Sequence, residues 1–410
     1  AGNGIGKLVG ALLQNSATIG VRLELRRKPA RQPVVASEIS GDAFVVFADG
    51  RVELGAVDFQ RTVGLGGDTQ IVNKVNSRYE AITYKHLLLP VWLWMPAAIA
   101  EGKSCDRPRL QAATPVRSAD KGEVVIATQN LWRLFDDVDD GLQVLTPEAY
   151  QRKLSKLSRQ VVDVLQLPDV VAVQEVENAK VLAALASAIA HRSGQPPYRV
   201  ALVEGQDPGG IDVGYLIRPD WKVVSLTPLL AAPRLEGKPL FDRPPLHLVV
   251  RLPAGERLEL VNVHLKSLKG SEHPGKAVRI AAKRRQQAAA LAGWWQRYAR
   301  QHPGAPLVML GDFNATPEVI GGVDVMGTLQ AAGLYPAMQQ LPEDERYSYV
   351  FRCRQELIDN ILVAPALQPR VTAMAASRGN ADAGRRMVKR ADTAVGSSDH
   401  DALVLYLRTD

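Results

Sequence analysis

The chain has 410 residues, a hydrophobic fraction of 46%, a net charge of +7 and two cysteines. This length favours two or three domains with ample core material, and the basic balance points to a polyanionic or anionic-surface partner. Neither Cys105 nor Cys353 lies in a CxxC or Cys/His spacing, which argues against structural zinc. The most apolar run, residues 87–100, is broken by Pro90 and Pro96 and falls short of the ~20 residues a membrane helix needs.

Residues 1–120 have a texture of their own, with short β-type runs punctuated by Gly and Pro. Two such runs flank Asp49-Gly50 within residues 43–57, a hairpin signal, and residues 19–25 and 79–86 also read as strands. Residues 100–121, rich in charge, Pro and Ser, read as a linker. The chain therefore divides into a small β-rich region of unknown role, 1–120, and a larger domain, 121–410.

From residue 122 strands and helices alternate. Residues 123–128 form a strand ending in Gln129-Asn130, and 147–165 carry helical periodicity through Tyr150, Leu154, Leu157, Val161 and Leu165. A strand at 169–173 ends in Gln174-Glu175, and an Ala/Leu helix follows at 178–191. Strands are expected at 198–202, 212–217, 222–226, 247–252 and 258–264, then a long basic helix at 275–300. Residues 307–310 form a buried strand that Gly311 breaks, delivering Asp312 and Asn314 at its carboxyl end. In an extended chain those two side chains share one side. Further strands are expected at 348–351, 357–363, 370–375 and 402–407. Two basic clusters stand out, Lys276 to Arg285 and Arg385 to Arg390.

Reading only strand ends collects Asn130, Glu175, Asp212, His264, Asp312, Asn314, Asp359, Asp399 and His400. Each alone has an ordinary explanation as a cap, a turn residue or a satisfied core histidine. Together they supply what metal-assisted phosphodiester hydrolysis requires, because buried strands do not end cheaply in charged groups unless those are paired, solvated or bound to a cation. A hard cation such as Mg²⁺ takes carboxylate and amide oxygens, which makes Glu175 the natural ligand, with Asn130 and Asp399 beside it. A histidine held by a carboxylate can activate water, and His400 with Asp359 fits that pair. Asn314 and His264 are donors for charge building on phosphorus.

Seven blocks carry a family resemblance in the right order: Thr-Gln-Asn-Leu-Trp at 128–132, Val-Gln-Glu-Val-Glu at 173–177, Gly-Ile-Asp-Val at 210–213, Asn-Val-His-Leu-Lys-Ser at 262–267, Gly-Asp-Phe-Asn-Ala at 311–315, Ile-Asp-Asn-Ile at 358–361 and Ser-Ser-Asp-His at 397–400. The chain from about residue 122 onward resembles the endonuclease/exonuclease/phosphatase superfamily of DNase I-like metal-dependent phosphoesterases, and within it the secreted bacterial nucleases. The resemblance implies an α/β fold, a four-layer sandwich of two packed mixed β-sheets flanked by helices, with the site at one rim. It implies Glu175, Asn130 and Asp399 as ligands of Mg²⁺ (or Mn²⁺ or Ca²⁺). Asn130 and Asp212 would meet the substrate phosphate, and His264, Asp312, Asn314, Asp359 and His400 would be catalytic. Lys266, two residues beyond His264 in an extended strand, would face the same side and hold the phosphate as well.

The expected activity is a nuclease acting on DNA, or RNA, with low sequence specificity, in a protein that is secreted or periplasmic. A phospholipid or phosphoinositide phosphoesterase would use the same site, with Trp92 and Trp94 at a membrane surface. A catalytically inactive nucleic-acid-binding protein is the third reading, and the intact catalytic positions argue against it.

Overall fold

The computed structural model describes residues 110–409 and five strands before them, Ala36–Glu38, Arg51–Leu54, Thr62–Gly64, Thr69–Val75 and Arg78–Tyr84. The chain forms two compact units, residues 1–104 and 105–410. In the first, Thr69–Val75 pairs antiparallel with Arg78–Tyr84 and parallel with Arg51–Leu54. Ala36–Glu38 pairs antiparallel with Thr62–Gly64. The second run of the expected 43–57 hairpin is thus a strand whose partner here is the parallel Thr69–Val75. Its first run, the strand expected at 19–25, and the 87–100 segment with Trp92 and Trp94 lie outside the described residues.

The second unit is built on two six-stranded mixed sheets. One runs in the order Val371–Ala376, Leu403–Arg408, Glu123–Leu134, Val170–Val176, Asp212–Ile217, Arg199–Leu202. The other runs Lys222–Pro228, Leu246–Arg251, Arg257–His264, Leu307–Asp312, Asp359–Val363, Tyr335–Pro336. Each has one parallel pair at its middle, Glu123–Leu134 with Val170–Val176 and Arg257–His264 with Leu307–Asp312. Parallel neighbours end on the same side, so each pair delivers two carboxyl ends to one edge of its sheet.

Alternation along the strands sorts their side chains into layers. Ile126, Val170, Tyr215, Leu248, Leu260, Leu310 and Leu405 meet in the core between the sheets. Val125, Ala127, Val171 and Val173 point the other way, into a cluster under helices Pro147–Arg159 and Ala179–Ser193. Val261, Val263, Leu307 and Met309 do the same under Pro274–Gln301 and Val325–Ala331. The result is helix, sheet, sheet, helix. Caps fix the helix starts: Thr146 accepts from Ala149 N at 3.3 Å, with Pro147 in the first turn, and Asn178 accepts from Val181 N at 2.9 Å.

Polar bonds tie the two sheets together. The Tyr215 hydroxyl donates to Leu246 O at 2.7 Å and Leu260 O at 3.1 Å. Asn262 Nδ2 donates to Val173 O and Gly214 O, both at 2.9 Å, while its Oδ1 accepts from Gln174 Nε2 at 2.7 Å. Asn262 sits two residues before His264, and Gln174 one before Glu175, so this clasp sets the spacing of the sheets at the polar rim.

The expected linker at 100–121 is, from Leu110 onward, part of the second unit. Leu110 bridges to Ala383, Thr114 to Arg378, and Val116 is buried with its N–H on Val164 O at 2.9 Å. Pro, Ser and charge mark irregular backbone there, but Val116 gives it an apolar anchor that a solvated tether lacks. Cys353 is disulfide-bonded. Among the described residues no helix is long and apolar enough to cross a membrane.

Candidate active site

Three backbone distortions build the rim. Glu123–Leu134 and Val170–Val176 lose register between Asn130 and Leu134, leaving residues 131–133 opposite Glu175. Val170–Val176 also slips against Asp212–Ile217 between Gln174 and Val176. At these bulges Trp132, Arg133 and Glu175 adopt left-handed backbone, with φ of 50°, 55° and 59°, and Asn314 does so after the Leu307–Asp312 strand at 48°. Each such residue costs of order 1–3 kcal/mol, and non-glycine examples gather where function holds them in place. The third distortion is Gly311, whose φ is 133° and where a Cβ would lie 2.1 Å from Val263 O. Glycine lets the strand pass close to Arg257–His264, which sets His264 and Asp312 side by side in register.

Asp312 lies at the centre. Its Oδ1 accepts from Asn314 N at 2.8 Å and its Oδ2 from Asn130 Nδ2 at 3.2 Å. His264 Nε2 is 3.4 Å from the same Oδ2 and 4.0 Å from Glu175 Oε1. Asp359 is the register partner of Asp312 on the next strand, and its Oδ2 accepts from His400 Nδ1 at 2.7 Å. His400 Nε2 lies 4.0 Å from Asp399 Oδ1, and the Tyr349 ring is 4.9 Å from the His400 ring. The turn carrying His400 is held to the strands, since His400 N donates to Ser398 Oγ at 3.0 Å and Ser398 Oγ donates to Asn130 O at 2.7 Å. Two buried atoms, Asp359 Oδ1 and His264 Nδ1, have no protein partner.

The two histidines are driven apart. Burial, then the charges of Arg243, His400 and Lys266, push His264 well below its usual range, so it is neutral. Burial would also lower His400, but Asp359, by charge and hydrogen bond, with Asp312 and Asp399, raises it well above. Asp312 is pushed up to about 7 by burial and by Asp359, against the opposing charge of His400. Burial likewise raises Asp399, with His400 opposing and Glu175 adding.

The structure therefore brings together Asn130, Glu175, His264, Asp312, Asn314, Asp359, Asp399 and His400. Asn314 reaches the group differently from the expected alternation. The strand ends at Asp312, and the pair meets because Asn314 N–H bonds back to the Asp312 carboxylate, while Asn314 Nδ2 donates to Leu265 O at 3.1 Å.

Two residues stand apart. Arg257–His264 ends at His264, so Lys266 is not its period-two neighbour. Its N–H goes to Gln287 Oε1 at 3.0 Å, and the charges around it are Arg243, Lys283, Asp242 and Asp207. It still lies close enough to His264 to disfavour its proton. Asp212 does not join the cluster. Its Oδ1 accepts from Gly205 N at 2.8 Å, in a small cavity shared with Asp140, Glu177, Glu204 and Asp207. Burial pushes it up to about 7, and an acid in such company repels a phosphate.

Lys153 and Arg243 were not singled out by sequence. Lys153 Nζ donates to Trp132 O, and Lys153 feels the charges of Asp399 and Glu175. A lysine inside the apolar stripe of Tyr150, Leu154 and Leu157 was the available signal. Arg243 Nε donates to His264 O at 3.3 Å and its Nη1 to Asp207 Oδ2 at 2.5 Å, and no motif marks it. The 276–285 cluster is not a free basic face. Arg284 is buried with Nη1 on Lys266 O at 2.6 Å, Lys283 pairs with Asp242 at 2.7 Å, and Arg279 with Glu236 at 3.1 Å. In the other cluster Arg390 pairs with Asp392 at 2.6 Å, while Arg385, Arg386 and Lys389 are exposed.

The sequence model of the Endonuclease/Exonuclease/phosphatase family matches residues 125–378, the span that holds every element of the rim except the 397–400 turn. The chain belongs to this family. Among solved structures, D. rerio TDP2 humanized by 14 mutations is 22% identical with a TM-score of 0.46, over 70% of this chain and 100% of that one. The human Nocturnin catalytic domain with bound sulfate is 17% identical with a TM-score of 0.47, over 71% and 97%. An endonuclease/exonuclease/phosphatase from Bacteroides vulgatus is 17% identical with a TM-score of 0.49, over 71% and 100%. No curated protein sequence matches the chain.

As a member of the endonuclease/exonuclease/phosphatase family the protein is a phosphoesterase. Its donor set fits a hard divalent cation. Among the described residues, Asp312, Asp359 and His400 offer three candidate ligand atoms within 4.8 Å of one another. Asp359 and His400 are already bonded to each other, which favours a relay over a cage. Oxygen ligands remain on Glu175, on Asp399 and on Asn130, whose Oδ1 keeps a lone pair beyond the one taken by Trp132 N–H at 2.8 Å. Four carboxylates crowd the rim, two of them raised by burial, and a cation would relieve that repulsion.

Proposed function

We propose that this phosphoesterase is a divalent-cation-dependent nuclease that hydrolyses the phosphodiester bonds of DNA, or RNA, by attack of water on phosphorus. The observation that carries the reading is a hydrogen-bonded His400–Asp359 pair beside a buried, proton-accepting Asp312. Asp312 is oriented through both oxygens, and its affinity for protons near neutrality suits a group that takes the proton from attacking water. Asp359 fixes the His400 tautomer by holding Nδ1, which turns Nε2 toward the site. Protonated His400 then donates to a phosphoryl oxygen as negative charge builds there. Neutral His264, through its one N–H, and the second N–H of Asn314 are further donors to phosphate. Glu175, Asn130 and Asp399 would hold Mg²⁺, or Mn²⁺ or Ca²⁺, which when bound neutralises phosphate charge as a Lewis acid.

A nucleic acid is favoured as substrate by the exposed Arg385, Arg386 and Lys389 on the segment leading into the Asp399-His400 turn, since phosphate contacts from such residues dominate affinity. Secretion or export to the periplasm belongs to the same proposal, and the disulfide at Cys353 supports it because disulfides persist in oxidising compartments. The test is supercoiled plasmid with Mg²⁺, beside an EDTA control and His400→Ala. Nicking that needs both metal and His400 is expected. Intact plasmid together with turnover of phospholipid or phosphoinositide headgroups would replace the nuclease with a lipid phosphoesterase.

A further inference from the structure

A strand buried on both faces has no packing reason to expose a tryptophan, yet Trp132 is 37% exposed two residues past Asn130. The bulge at 131–133 explains how. It turns Leu131 into the core and Trp132 outward, opposite Glu175 in the pairing of the two strands. The backbone here is fastened. The Trp132 backbone N–H donates to Asn130 Oδ1 at 2.8 Å, on the amide that also holds Asp312. Its carbonyl accepts from Lys153 Nζ, which lies 5.3 Å from the centroid of the indole. The next residue is fastened as well, with Arg133 Nε on Gln143 Oε1 at 2.6 Å. Two consecutive left-handed non-glycine residues, at φ 50° and 55°, work against folding, and so does an exposed indole. Burying the ring would be the stable choice. Instead the chain presents it at the lip of the site, beside Asn130 and opposite Glu175.

We propose that Trp132 is a nucleobase-stacking platform, its indole packing on the base of the nucleotide that flanks the phosphate being cleaved, with Lys153 fixing the ring from beside it. A planar ring accepts any base, since every base has a π-face, so the platform gives affinity without sequence preference. The inference rests on the nuclease reading and specifies its substrate: a strand whose base is unstacked beside the scissile phosphate.

The experiment compares kcat/KM of the full chain with Mg²⁺ on a single-stranded oligonucleotide and on the same length carrying abasic sites. Wild type is expected to prefer the base-bearing strand by about 5- to 150-fold, the range of one base–aromatic stack. That preference should collapse to about 2-fold or less in Trp132→Ala and Trp132→Gly, and largely persist in Trp132→Phe. Trp132→Gly suits the left-handed backbone, so a melting temperature no lower than wild type separates loss of stacking from loss of folding. An unchanged preference in the Ala and Gly variants of a protein that cleaves DNA overturns the platform and leaves the nuclease standing. Equal loss on both strands overturns the assignment to a base. Failure of wild type on every oligonucleotide, with hydrolysis of bis(p-nitrophenyl) phosphate retained, overturns the nuclease reading and the platform with it. Loss of vesicle binding in Trp132→Ala would reassign the ring to a lipid surface.

Discussion

Asp359→Asn isolates the charge that holds His400. The asparagine oxygen can still accept from His400 Nδ1, now at 2.7 Å from Asp359 Oδ2, so the tautomer survives and only the negative partner is lost. His400 is buried, and burial alone lowers its proton affinity, with Asp359 as the leading opposing influence. Without that charge His400 falls toward or below its ordinary range, near 6.5 in an unstructured chain. If protonated His400 stabilises the transition state, the loss at neutral pH is about 10²- to 10⁴-fold in kcat/KM, the usual contribution of a positioned acid or base. The assay is a pH–rate profile of kcat/KM on bis(p-nitrophenyl) phosphate from pH 5 to 10 at saturating Mg²⁺. Wild type should hold its activity well above pH 6.5 and lose it as pH rises through the raised pKa of His400. In Asp359→Asn that alkaline limb should move acidward. Stability carries the same sign. A histidine raised by folding contributes fully below its unfolded pKa, and the contribution disappears as pH rises through the folded one, so wild type should lose stability over that alkaline window and the variant should not. An alkaline limb that stays in place while only the amplitude drops would refute this reasoning and leave Asp359 as scaffolding.

Three further outcomes follow from the geometry. Asn262→Leu leaves Gln174 Nε2 and the carbonyls of Val173 and Gly214 without their partner, and should cost roughly 2–5 kcal/mol in urea unfolding; a change below about 1 kcal/mol would mean water replaces the clasp. Gly311→Ala forces a Cβ to 2.1 Å from Val263 O at a φ of 133°, so soluble expression or thermal stability should fall sharply. Changing the exposed Arg385, Arg386 and Lys389 to Gln should weaken plasmid binding and flatten the slope of log K against log salt by up to about 3, one per lost phosphate contact, and an unaltered slope would place the DNA elsewhere.

Much of the site was legible because strand patterning is local. Runs such as residues 170–173 and 307–310 are apolar on both faces, so the polar residues that end them stand out, and Asn130, Glu175, His264, Asp312 and Asp359 were found that way. Composition likewise marked the helices, from the Ala/Leu helix after Asn178 to the long basic Pro274–Gln301. Proximity, in contrast, is decided by pairing between strands far apart in the chain. Asp359 meets His400 across 41 residues and Asn130 meets Asp312 across 182, and spacing in the sequence encodes neither. Sequence reads charge but not its partner, so Arg284 looked like part of a basic face although it is buried on the carbonyl of Lys266. It reads alternation but not its failure. The bulges that lift Glu175 and turn Trp132 outward, and the strand end that takes Lys266 out of line with His264, appear only in the pairing of strands distant in the chain. What the chain determined by itself is which polar groups end the buried strands; the opposite protonation of His264 and His400 arose only when folding buried both and gave Asp359 to one of them.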